Sequence, residues 1–125
     1  MSNRNKELGT AAERGVVQRV NNQPPLKARR QPLSGVLKDY PHDIHISTPV
    51  GDVLGESKVR KLEVNSRGAK QWTILFDWLI ETIEAAEKGG YHHAALFVRP
   101  KGSQRRYVLI EEAVYLDLLA RTATR

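Results

Sequence analysis

Glu56 and Lys58 stand two residues apart in Asp52-Val53-Leu54-Gly55-Glu56-Ser57-Lys58-Val59. The stretch reads as a β-strand, and the two-residue alternation of a strand puts this carboxylate and this amine on one face. A carboxylate that can hold a hard cation, beside an amine that can orient water or offset charge, is a pairing suited to metal-dependent hydrolysis of a phosphodiester. A strand also carries such a pair as an ordinary surface charge pair worth about 0.2 to 1 kcal/mol. What decides between the two is what the rest of the chain brings to the same place.

Two further acids are candidates. Thr10-Ala11-Ala12-Glu13 has the form of a capping box opening a helix that runs to about Asn21. Val16, Val17 and Val20 follow Glu13 at helical spacing, so Glu13 heads the apolar stripe as well as being placed to cap the helix. Asp43 opens Asp43-Ile44-His45-Ile46-Ser47, an alternating half-buried strand, and Thr48-Pro49-Val50-Gly51 turns it back into the Glu56 strand. In that hairpin Ile44 and Ile46 face the core with Val53 and Val59, while Asp43, Glu56 and Lys58 share the opposite, solvent-facing side.

The positioning elements follow from the same patterning. Met1 to Gly9 reads as a loose polar tail, and Asn21-Asn22-Gln23-Pro24-Pro25 ends the first helix because consecutive prolines cannot continue it. An extended piece from Leu26 to Pro32 carries Lys27, Arg29 and Arg30 into Leu33-Ser34-Gly35, a small-residue turn able to approach a phosphate. Glu63 to Lys70 reads as a polar loop around Ser66-Arg67-Gly68. The clearest helix runs from about Ala69 to Lys88, with Trp72, Leu75, Phe76, Leu79, Ile80, Ile83 and Ala86 on its apolar stripe and Gly89-Gly90 as its stop. A thinner stripe of Ile74, Trp78 and Ala85 lies on its other side, buried either against a partner subunit or under the last helix. Ala94 to Arg99 and Tyr107 to Ile110 read as a strand hairpin around a basic loop, and Glu111 to Ala123 as a final helix with Val114 and Leu118 near one face. His92 and His93 precede the first of these strands. As neighbours in an extended chain they point apart, so loop histidines are expected rather than joint metal ligands.

Composition narrows the chemistry. The chain holds 125 residues, enough for one domain with a modest core. Its 20 Lys and Arg against 14 Asp and Glu leave a net charge of +6, the bias of a phosphate-backbone binder. Cysteine is absent, which excludes disulfides, thiolate metal sites and thiol nucleophiles and leaves carboxylates and imidazoles as ligands, with magnesium the natural cation. The sequence offers neither a long apolar span nor a signal peptide, so a protein without a membrane segment, resident in the cytoplasm, is expected.

In their order, Glu13 on a helix, Ser34-Gly35 in a basic turn, Asp43 on one strand, Glu56-Ser57-Lys58 on the next and then an amphipathic helix, these residues resemble the PD-(D/E)xK nuclease superfamily, and within it the archaeal-type Holliday junction resolvases. The likeness spans about Gly9 to Lys88, and from Tyr91 onward the chain is similar to virus-encoded relatives, which implies a phage-encoded protein in a host cytoplasm. The resemblance implies an α/β restriction-endonuclease-like fold with a central mixed sheet flanked by helices, and a homodimer that cuts two strands of a four-way DNA junction, with Ile74 and Trp78 at the dimer interface. It implies that Asp43 and Glu56 ligate magnesium, for which manganese can substitute, with the Ser57 carbonyl and Glu13 completing the set and Lys58 acting on the attacking water. It further implies DNA contacts from Ser34 and Gln71, and the basic residues Arg14, Lys27, Arg29, Arg30, Arg60, Lys61 and Arg67 are the expected phosphate contacts. A related nuclease acting on other structured or single-stranded DNA, or a DNA-binding module that kept the fold without the chemistry, would share these elements.

Overall fold

The computed structural model describes residues 3–30, 44–71, 73–74 and 76–123, with side chains from residue 11 to residue 122 within those ranges. Helix α1 (Asn3–Asn21) leads into strand β1 (Lys27–Arg30), followed by β2 (Ile44–Thr48), β3 (Gly51–Arg60), the two short strands β4 (Glu63–Val64) and β5 (Lys70–Gln71), helix α2 (Phe76–Lys88), strands β6 (His93–Pro100) and β7 (Tyr107–Leu109), and helix α3 (Glu112–Ala123). Five strands form one mixed sheet in the order β1-β2-β3-β6-β7. Its one parallel pair is β3 with β6, joined through α2, as a parallel connection requires.

The sheet is covered on both faces. Val16 of α1 packs on Ile44, Ile46, Val53 and Ala95, with Val17, Val20, Ala28, Phe97 and Ile110 around them. On the other face Ala86 meets Leu54 and Ala94, and Leu79 meets Leu96 and Val98. This is the α/β arrangement of a mixed sheet flanked by helices, and Ile44, Ile46 and Val53 share the core face the alternation assigned them.

Asn21 closes the first helix onto the sheet: its side chain accepts from Ala28 N at 2.7 Å and donates to Ala28 O at 3.1 Å, so helix end and β1 are clipped through one residue. The β2–β3 turn is held by Thr48, whose hydroxyl donates to Gly51 O at 2.6 Å and accepts from Val50 N at 3.1 Å.

Several expectations are corrected. Helix α1 starts at Asn3, not at Thr10. Gly9 disfavours a helix by about 1 kcal/mol but does not stop one that good formers such as Arg4, Lys6, Glu7 and Leu8 carry into it, so Met1 to Gly9 is not a free tail over its helical part. Helix α2 starts at Phe76, not Ala69. Lys70 and Gln71 are taken instead by the β4–β5 hairpin, which reverses at Gly68 with φ of 80° and is tied by Asn65 Oδ1 accepting from Arg67 N and Ala69 N. Trp72 and Leu75 lie outside the described residues. The Glu56 face of β3 is not open to solvent, because α2 lies over it. Finally, α3 leaves most of its apolar side chains exposed, Tyr115 and Leu116 at 54% each, and only Val114 is half-buried. It is therefore not α3 that covers the second stripe of α2: Ile74 and Trp78 pack on their own chain's Leu79, Leu96 and Val98, and Ala85 beside Leu54 and Ala94. Among the described residues no helix is long and apolar enough to cross a membrane.

Gly51 is the turn position with least tolerance. Its φ is 134°, and a Cβ there would come within 2.7 Å of His92 Cβ, whereas Gly68 at φ of 80° faces open space. Gly51→Ala is expected to lower stability by about 2 to 4 kcal/mol, combining backbone strain with a clash, and Gly68→Ala by about 1 to 2 kcal/mol from strain alone. Urea unfolding of the two variants side by side measures the difference.

Candidate functional site

Glu56 and Lys58 sit where β3 changes character. From Val53 to Gly55 the strand is paired on one side with β2 and on the other with β6; among the described residues Glu56 to Arg60 pair with β6 alone. Register places Glu56 beside Leu96 and Lys58 beside Val98, both residues of the cluster under α2, so carboxylate and amine share the α2 face. Glu56 is only 5% exposed, and burial of a carboxylate is tolerated where it is paired, hydrogen-bonded or ligating. Ser57, half-buried, alternates to the other face opposite Phe97.

Lys58 is positioned by an aromatic ring. Its Nζ lies 4.9 Å from the centroid of Trp78, and the Arg60 guanidinium carbon lies 4.5 Å from the same ring. Both cations use the negative π face of the indole. Trp78 thus holds the two basic side chains at the C-terminal end of β3, a role that helical spacing alone does not reveal because it depends on a strand placed alongside.

Glu13 reaches this region from the opposite side. It is 7% exposed, and its Oε1 accepts from Arg30 Nη2 at 3.1 Å. Arg30 pairs in register with Ile44, and Ile44 with Gly55, the residue before Glu56. The two buried glutamates therefore flank one row of the sheet, Glu13 from the α1 side and Glu56 from the α2 side. Arg30 Nε is buried with no hydrogen-bond partner among the described residues. Asp43 and Ser34 lie outside the described residues, and among those described no three His, Asp or Glu side chains form a group able to hold a metal ion.

The expected phosphate contacts separate by location. Ala28 packs under α1, so alternation along β1 turns Lys27 and Arg29 to the Glu56 face, where both are exposed. Arg14 is exposed on α1, Arg60 and Lys61 at the end of β3, Arg67 in the β4–β5 turn and Gln71 on β5. Gln71 is therefore a strand residue and not the start of α2.

A hydrogen-bonded chain that the sequence did not suggest crosses the same face further along. Asp52 Oδ2 meets His45 Nε2 at 3.1 Å, and His45 Nδ1 meets the Tyr91 hydroxyl at 3.2 Å. It ties β2, β3 and the segment before β6 together, and its members are separated by up to 46 positions, beyond the reach of a local pattern. His92 and His93 stand with ring centroids 5.2 Å apart, edge to face, rather than pointing apart, because His92 lies in the bend before β6 and only His93 belongs to the strand. Burial, then the neighbouring His92, holds His93 below the usual histidine range, with Asp117 acting the other way.

Replacing Arg30 by Met keeps its stem and removes the partner of a buried carboxylate. Arg30→Met is expected to lower unfolding free energy by about 1 to 3 kcal/mol, and Glu13→Gln in the same background to restore part of it, since the charge left without its guanidinium is then gone. A double-mutant cycle in urea reads the coupling directly. No protein-family model matches the chain, and neither a curated protein nor a solved structure matches it significantly.

Proposed function

We propose that the chain is a magnesium-dependent endodeoxyribonuclease of the PD-(D/E)xK type that cleaves branched DNA, four-way junctions in particular. One observation carries the reading. Ile44 and Gly55 are partners in the β2–β3 ladder; Asp43 directly precedes the first and Glu56 directly follows the second. The two acids of the proposed site are thus chain neighbours of one registered pair, with Lys58 on the same face as Glu56. The element order, with a helix, a three-strand meander, a crossover helix and a parallel strand, supports the restriction-endonuclease-like fold in the same sense.

The donor set fits a hard cation: carboxylates and a backbone carbonyl, with no thiolate anywhere in the chain. A bound magnesium ion supplies positive charge against the phosphorane-like transition state and acidifies its water. Asp43 and Glu56 would hold that ion and the Ser57 carbonyl would add an oxygen; Glu13, expected to complete the set, instead lies across the sheet on the α1 face, where it accepts from Arg30. Lys58, steadied on Trp78, donates toward the attacking water or the developing oxyanion. Lys27 and Arg29, exposed on the same face, bind flanking phosphates.

A homodimer belongs to this reading, since cutting two strands of a junction takes two sites. Tyr107 and Val108 on β7 and Tyr115, Leu116, Leu118 and Leu119 on α3 are exposed, and α3 at 12 residues is too short to be a stable helix without a surface to pack on. A second copy fits this face: antiparallel pairing of α3 across a two-fold axis sets acidic Glu111 and Glu112 against Arg121 of the other copy.

Incubation of a labelled four-way junction with magnesium tests the chemistry. Wild type is expected to cut it, and Asp43→Asn, Glu56→Gln and Lys58→Ala to lower the rate at least about 100-fold while still binding. An intact junction bound equally by wild type and variants would leave a DNA-binding module on this fold; equal cutting of linear single strands would remove only the junction preference. Sedimentation tests the dimer: Leu119→Glu is expected to convert a two-chain species into a single chain.

A further inference from the structure

We infer that Trp78 is a positioning residue, whose indole holds Lys58 and Arg60 as a two-cation clamp for the phosphodiester backbone beside Glu56. The clamp stands on geometry; that the backbone it grips is the one being cut rests on the nuclease reading.

Strand and helix converge on the ring. Glu56, Lys58 and Arg60 occupy alternate positions of β3, so all three lie on the α2 face, successive ones about 6.7 Å apart along the strand. Trp78, in the first turn of α2, has its ring centroid 4.9 Å from Lys58 Nζ and 4.5 Å from the Arg60 guanidinium carbon. The turn that carries it is fixed, because the fully buried Thr82 donates from its hydroxyl to Trp78 O at 2.7 Å. The indole also packs against the cluster of Leu79, Leu96 and Val98. Arg60 is held a second time, its Nη1 donating to Val59 O at 2.8 Å.

A tryptophan that only filled the core would not need charge beside it. Two like charges on alternate residues of one strand repel, and their long side chains are free to spread apart into water. The negative π face of one indole draws both in and offsets part of that repulsion. Lys58 rests there although α2 exposes carboxylates at Glu81 and Glu84, and among the described residues it makes no ion pair. An ammonium held by a ring and not by a carboxylate keeps its charge for an incoming anion.

Cations held in this way fit a phosphate backbone. Lysine and arginine lose much rotamer freedom when they bind, and side chains already ordered on the indole lose less. What the two offer differs: Arg60 presents a planar fork that matches a pair of phosphate oxygens, and Lys58 a compact charge. Along β3 the order is carboxylate, ammonium, guanidinium, so a backbone gripped by Lys58 and Arg60 lies alongside the carboxylate proposed to hold magnesium. Trp78 thereby acts within its own chain, where its stripe with Ile74 suggests a partner.

Proton NMR tests the geometry. The side-chain methylene protons of Lys58 and Arg60 are expected upfield of their usual positions in the ring current of Trp78, and to return in Trp78→Leu; unshifted protons in the wild type would overturn the clamp. Fluorescence anisotropy of a labelled four-way junction, without divalent metal and well below the melting temperature of every variant, tests what the clamp grips. Trp78→Leu is expected to weaken binding about tenfold and Trp78→Phe about threefold. Mono-, di- and trifluorinated tryptophan placed at position 78 keep the shape of the ring while draining its π charge, and affinity is expected to fall step by step along that series. In Lys58→Ala/Arg60→Ala, which itself binds more weakly, the same replacements of Trp78 are expected to have no further effect. Level affinity through the fluorinated series, with only the melting temperature falling, would reduce Trp78 to a packing residue and overturn the proposal. A loss that persists without the two cations would mean that the ring touches DNA itself, which overturns it as well, and so does a wild type that binds no DNA. If the binding series holds but the wild type leaves the junction uncut when magnesium is added, the nuclease reading alone is lost.

Discussion

Strand β3 is hydrogen-bonded on both edges from Val53 to Gly55 and, among the described residues, on one edge from Glu56 to Arg60, and the layout of the molecule depends on that change. The doubly paired half is an ordinary buried strand: Val53 and Leu54 supply one side chain to each helix-covered face. The singly paired half carries Glu56, Lys58 and Arg60. A charged group there has the rigid backbone of a central strand beneath it. Rigid support is what the proposed hydrolytic site would need, because positioning contributes to rate only if the group does not move with the substrate.

Legibility in the sequence followed the range of each interaction. The β2–β3 hairpin was readable because its determinants are local: alternating Ile44 and Ile46, a turn that needs Gly51 at positive φ, and Val53 two residues on. The β6–β7 hairpin and the stop of α2 at Gly89-Gly90 were readable for the same reason. The N-terminal boundaries of α1 and α2 were not. In α1 a capping-box pattern at Thr10 to Glu13 coincided with the middle of a longer helix, and Glu13 turned out to serve Arg30 from the buried side. In α2 an apolar period that looked continuous from Trp72 was interrupted by backbone pairing of Lys70 and Gln71 with Val64 and Glu63. Tertiary pairing outweighed propensity in both places.

The candidate site shows the same division. That Glu56 and Lys58 share a face follows from spacing alone. That Lys58 rests on Trp78, twenty positions later in the chain, and that Glu13 and Glu56 flank a single row from opposite faces, follows from packing that no local pattern encodes.

The distribution of acids constrains how a phosphate backbone could approach. Glu81, Glu84 and Glu87 are exposed on α2, the helix that covers the Glu56 face. Within a Debye length of about 8 Å at physiological salt, this acidic surface repels DNA laid across α2. Lys27 and Arg29, exposed on the same sheet face but beyond β2, attract it from the other side. On the proposed nuclease reading, a backbone drawn to Glu56 and Lys58 would therefore come over β1 and β2 and leave past Arg60 at the strand's end, the route that avoids the acidic surface of the helix that buries them.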